Sequence, residues 1–103
     1  MSEYLVDVQK YSANASEANV AAIVKYCGIA LRNKDSSLVS ASDPAELQRV
    51  RDGFAFKKLG LDASSADAGI KKVVELMKAE RQKSRVTFYY LLAEATSTLA
   101  KLG

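Results

Sequence analysis

Six basic side chains, Lys71, Lys72, Lys78, Arg81, Lys83 and Arg85, fall within one stretch of fifteen residues. Their charge suits phosphate or another anion, and such binding would weaken steeply with salt. Glu75 and Glu80 interleave with them and can pair with Lys71, Lys72 or Lys78 along a helix. No aromatic residue alternates with the run, although Phe88 and Tyr89 follow it. The same pattern therefore also reads as a solvated helix face.

Other reactive groups are sparse. The chain has no histidine, which removes Ser-His-Asp triads, Cys-His dyads and HExxH zinc sites. Cys27 is the sole thiol, so neither a CxxC redox pair nor a four-cysteine zinc site can form. It sits on an apolar helical stripe, which predicts a packed thiol rather than a nucleophile. Asp35, Asp43, Asp62 and Asp67 occupy cap and turn positions, where Asp serves the backbone. Asp52 lies inside a helical pattern between Arg49, Arg51 and solvent. No DxDxDG loop, GxGxxG or GxxxxGK[ST] motif occurs. These features predict a non-catalytic protein with no metal and no cofactor. The five tyrosines offer an apolar body and a polar tip, suited to a core edge or an interface. Tyr89 and Tyr90 lie about 100° apart on a helix, so one of them is expected at the surface, where it can meet a partner.

The elements that must position these groups follow from periodicity. A length of 103 residues with 49% hydrophobic and 26% charged side chains predicts one domain, 1–103, with its own core. The net charge of +3 is uneven: residues 1–43 carry four basic and five acidic groups, residues 44–103 eleven and seven. A short helix is expected over residues 3–11, with Tyr4, Val8 and Tyr11 on one face. Ser16 is positioned to cap a second helix over 17–32, whose buried stripe is Val20, Ile23, Val24, Cys27, Ala30 and Leu31. Gly28 within that stripe predicts a close helix crossing. Residues 33–37 mark a turn, with Leu38 and Val39 turned inward.

Asp43-Pro44-Ala45-Glu46 places Asp43 at N-cap, Pro44 at N1 and Glu46 at N3 of a third helix running to Lys58, with Gly60 at C′. Gly53 is expected to thin it locally. Ser64 or Ser65 is expected to cap a fourth helix, with Ile70, Val73, Val74 and Met77 inward. A helix-turn-helix reading of residues 48–80 fails on its long connection over 59–67. The last segment, from Ser84 to Lys101, is apolar on nearly every side between Val86 and Ala93. Its Val, Thr, Phe and Tyr content also suits a strand, but its length and the lack of a strand to pair with it favour a helix buried by several neighbours. The predicted fold is all-α, a small bundle of four to five helices around a central C-terminal helix.

Two stretches, KYCGIALRNKDSSLV over residues 25–39 and KSRVTFYYLLAE over 83–94, together with Tyr4-Leu5-Val6-Asp7-Val8, resemble a family of small bacterial proteins known as a domain of unknown function. The resemblance covers nearly the whole chain. It implies an all-helical fold and a bacterial cytoplasmic origin, and it implies no catalytic or binding residue. The N-terminal residues show no basic segment followed by an apolar one, and no run of 18 apolar residues occurs, so neither a signal peptide nor a membrane span is expected. The reading is of a cytoplasmic protein acting through protein–protein contact or self-association, with Tyr89 and Tyr90 as interface candidates. The alternative is weak nucleic-acid or anion binding through residues 71–85.

Overall fold

A computed structural model describes residues 2–32, 37–80 and 83–102 of the chain. Five α-helices account for most of them: α1 (Ser2–Gln9), α2 (Glu17–Cys27), α3 (Pro44–Val50), α4 (Ala63–Leu76) and α5 (Arg85–Ala95). The fold is the all-α bundle the periodicity predicts, and its axis is α5. Every residue from Val86 to Ala93 is buried. Helices α1, α2 and α4 all pack on this rod. Full burial of its large side chains contributes roughly 1.5–3 kcal/mol each. Besides the two tyrosine hydroxyls, the polar side chain among them is Thr87, which is wholly buried. Its hydroxyl donates to Asp7 Oδ2 of α1, so this polar group in the rod also anchors the N-terminal helix.

The helix starts follow local chemistry. Ser16 Oγ accepts from the Asn19 N–H at 3.5 Å, and Asp43 Oδ1 accepts from the Ala45 N–H at 3.0 Å with Pro44 at the first helical position. The cap of α4 differs from expectation. Asp62, rather than Ser64 or Ser65, accepts from the Ser65 N–H at 2.7 Å. A carboxylate is acceptor-only when ionised and suits the positive end of the helix dipole better than a hydroxyl.

Several ends also differ. The second helix stops at Cys27, and residues Gly28–Arg32 continue as a 3₁₀ turn. Gly28 is not at a close crossing. It has a φ of +49°, and a Cβ placed there would meet nothing within 4 Å. The close approach is at Gly69 on α4 instead, where a Cβ would lie 2.7 Å from both Leu92 Cδ1 and Thr96 Cγ2 of the α5 region.

The third helix does not run evenly to Lys58. Past Val50 it widens into a π-helical segment, Arg51–Lys58, which contains Gly53. It closes on Gly60 with bonds from Gly60 N–H to Phe56 O and Leu61 N–H to Ala55 O. Each is one residue wider than in the usual Schellman ending. The expected turn over 33–37 falls mostly outside the described residues. Beyond it, Leu38–Val39 (β1) pairs antiparallel with Lys83–Ser84 (β2), in the register Leu38 to Ser84 and Val39 to Lys83. This small ladder was not foreseen. It leads directly into α5, whose first N–H donates to Ser37 O at 2.8 Å.

Helix α5 ends at Ala95 rather than near Lys101. Thr98 N–H donates to Ala93 O at 2.7 Å and Ser97 N–H to Glu94 O at 3.1 Å. This is a Schellman ending, with Ser97 at φ +58° in the left-handed position that glycine usually fills.

Candidate functional site

The basic run over residues 71–85 does not assemble into one surface. Lys71, Lys72 and Lys78 are exposed on α4 or just past its end, and Lys78 Nζ pairs with Glu75 Oε1 at 2.9 Å. Lys83 is buried, and its Nζ donates to the Glu80 carbonyl at 2.6 Å. Arg81 lies outside the described residues.

Arg85 turns inward to a buried hub. Its Nη2 donates to Glu46 Oε1 at 2.6 Å and to Leu38 O at 3.2 Å, and its Nη1 to the Tyr89 hydroxyl at 2.9 Å. Burial lowers the Arg85 pKa, but Tyr89 and Glu46 together outweigh it and leave the guanidinium above its ordinary value. Glu46 was expected to complete a capping box at N3 of α3. Its second oxygen instead accepts from Arg49 Nη2 at 3.0 Å and Nε at 3.2 Å. The hub thus clasps α3, β1 and α5 around one ion pair.

Tyr89 and Tyr90 are both buried, so the expectation that one would reach solvent fails. A helix surrounded on all sides has no outward face, and the 100° between successive residues does not expose either one. Tyr89 stacks on Phe54 with centroids 4.1 Å apart and planes 12° from parallel. Tyr26 closes the cluster at 5.4 Å from Phe54 and is itself 44% exposed, with Lys58 Nζ 5.9 Å from its ring centroid. Within this cluster the ring that reaches the surface is Tyr26; away from it Phe56 is exposed as well. Tyr26 is one of the five tyrosines suited to a core edge or an interface, and its place beside Cys27 on the edge of the α2 stripe is the signal that distinguishes it.

A cleft of about 620 Å³ lies between α3 and α4. Pro44, Leu47, Ala68 and Ile70 supply its apolar lining, and Gln48, Arg51, Asp67 and Lys71 its polar lining. Pro44, Leu47, Gln48 and Arg51 are spaced as one helical face, i, i+3, i+4 and i+7. Arg51 reaches across the cleft to Asp67 Oδ1 at 3.5 Å and also holds Asp52 Oδ1 at 3.2 Å. The hydrogen bond to Asp52, and the nearby carboxylates, raise the Arg51 pKa. Among the described residues, Lys71 is thus the member of the predicted basic group that lines this cleft. A shallower depression lined by Gln48, Arg49, Asp52 and Lys57 adjoins it, with Gln48 common to both.

A family model described as "Protein of unknown function (DUF2853)" matches residues 3–100. The chain belongs to this family. No curated protein matches the chain. The family description assigns no activity, so the functional reading of this DUF2853 member rests on its own geometry. Among its described residues no three Cys, Asp or Glu side chains gather as metal ligands would, and no helix is long and apolar enough to cross a membrane.

Cys27 of this DUF2853 member is half-buried at the last residue of α2. Burial pushes its thiol up to about 11, and the Arg85 charge offsets only part of that rise. At pH 7 only about one thiol in 10⁴ is then ionised, which leaves Cys27 as a packing residue. Burial also raises the Tyr89 phenol, with Arg85 again opposing it.

Proposed function

We propose that this protein is a non-catalytic helical module that works by contact with another protein, through the cleft between α3 and α4. The observation that supports this reading is the composition of the cleft: apolar lining from two helices beside charged groups, of which Arg51 and Asp67 pair across it. That is how a groove receives the apolar face of a partner helix. The sequence pointed to α5 as the contact surface, but residues 86–93 form the core. The contact surface of this reading therefore moves to α3 and α4. The nucleic-acid alternative loses its main support, because Lys83 and Arg85 bond internally.

Blocking the cleft tests the proposal. Ala68 is exposed on α4 and lines the cleft. Ala68→Trp is expected to abolish capture of a specific partner from extracts of the producing cells, while Lys25→Ala on exposed α2 leaves capture intact. Equal capture by Ala68→Trp and the unmodified protein would overturn the assignment of the cleft.

A further inference from the structure

The charges around the cleft indicate which kind of partner helix it takes. Across the cleft and the adjoining depression stand four cations, Arg49, Arg51, Lys57 and Lys71, and two carboxylates, Asp52 and Asp67. Both carboxylates are already held by Arg51. Arg49 in turn is held by Glu46. Lys57 and Lys71 are exposed, and neither has a carboxylate within 4 Å among the described residues. Four cations against two carboxylates leave this lining with a net charge of +2, and its two cations without a carboxylate partner among the described residues, Lys57 and Lys71, stand beside an apolar floor.

A partner that carries apolar side chains on one face and carboxylates beside them satisfies both features. One that carries lysines there would meet Lys57 and Lys71 with like charge, which is costly at an interface. The walls are two helical surfaces with no sheet edge between them, so a third helix completes the packing in the ordinary way. We infer that the α3–α4 cleft receives an acidic amphipathic helix of a partner protein, with its carboxylates set against Lys71 and Lys57. This rests on the cleft being the contact site and adds the chemistry of what binds there.

The test uses the full chain, isotope-labelled, and two synthetic helical peptides. Both carry leucine on one face; one carries glutamate on the flanks and the other lysine. The acidic peptide should shift the amide signals of Leu47, Gln48, Ala68 and Lys71 in a saturable way. Two new charge pairs at the rim correspond to a preference over the basic peptide of about 2- to 30-fold. The paired variant Lys57→Glu and Lys71→Glu, both exposed positions, should abolish or reverse the preference, and raising salt in the unmodified protein should shrink it. If the basic peptide shifts the same amides as strongly, the acidic partner is refuted while the cleft remains a contact site. If neither peptide moves those signals, this inference is refuted, and the Ala68→Trp capture experiment then decides separately whether the cleft is used at all.

Discussion

Removing the carboxylate of Glu46 is the sharpest test of how this bundle is held together. Glu46 and Arg85 meet at 2.6 Å, with side chains only 9% and 13% exposed. Taking two charges out of water is unfavourable, and the pair persists because each charge compensates the other. Glu46→Ala removes the carboxylate 2.6 Å from Arg85 Nη2 and leaves the guanidinium in place beside the Tyr89 hydroxyl and the Leu38 carbonyl. Loss of one partner of a buried pair costs about 3–5 kcal/mol, a large part of the roughly 5–15 kcal/mol that holds a domain together. With a urea dependence of about 1.5 kcal/mol per M, the unfolding midpoint followed by circular dichroism should fall by about 2–3 M. Removing an exposed partner provides the comparison. Glu75→Ala breaks the Glu75–Lys78 pair at the surface and should leave the midpoint in place. The double replacement Glu46→Leu with Arg85→Met should recover most of the loss, because it removes both charges together. A Glu46→Ala midpoint no lower than that of Glu75→Ala would refute the buried-pair reasoning.

Two backbone substitutions should act in opposite directions. Ser97→Gly relieves a left-handed residue at an exposed position, a gain of about 1 kcal/mol that exceeds about 0.5 kcal/mol of added unfolded-chain entropy. Gly69→Ala drives a Cβ to 2.7 Å from Leu92 and Thr96, and overpacking of about 1–3 kcal/mol outweighs the helix-propensity gain of about 1 kcal/mol. Calorimetry should therefore show Tm rising for the first and falling for the second. Cys27, with its thiol near pH 11, should react slowly with a thiol reagent at pH 7 and rapidly once the protein is unfolded. Folded-state values raised for Cys27 and Tyr89 contribute stability that is fully present below the unfolded thiol and phenol values. It is lost as pH rises through the folded ones, so unfolding in base should begin above about pH 9.

The parts of the fold written locally were legible in the sequence. Ser16 and Asp43-Pro44 announce helix starts through side chains that bond within three residues. The run from Val86 to Ala93 announces a buried rod through composition alone. The end of α5 escaped notice because Ser97 holds a position where glycine would have been the signal. The π-helical widening after Val50 escaped because its hydrogen bonds differ from α by one residue, a difference no single side chain encodes. At the cleft, the spacing of Pro44, Leu47, Gln48 and Arg51 was present in the sequence, but its apposition to Asp67 and Lys71 is a fact of tertiary packing. The charge of Arg85 was read as surface charge for the same reason: its partner Glu46 lies 39 residues away.

A bundle built on its last long helix has a consequence for how the protein is made. During synthesis α1, α2, α3 and α4 all leave the ribosome before the rod they pack on. At about 5–20 residues per second, the stretch from Leu76 to Ala95 takes roughly 1–4 s to add. For that interval the inward faces of α2 and α4, with Val20, Ile23, Ile70 and Val73, lack the surface that covers them in the finished protein. Transiently exposed apolar surface of this kind is aggregation-prone, and α5 is the element that covers it in the finished fold.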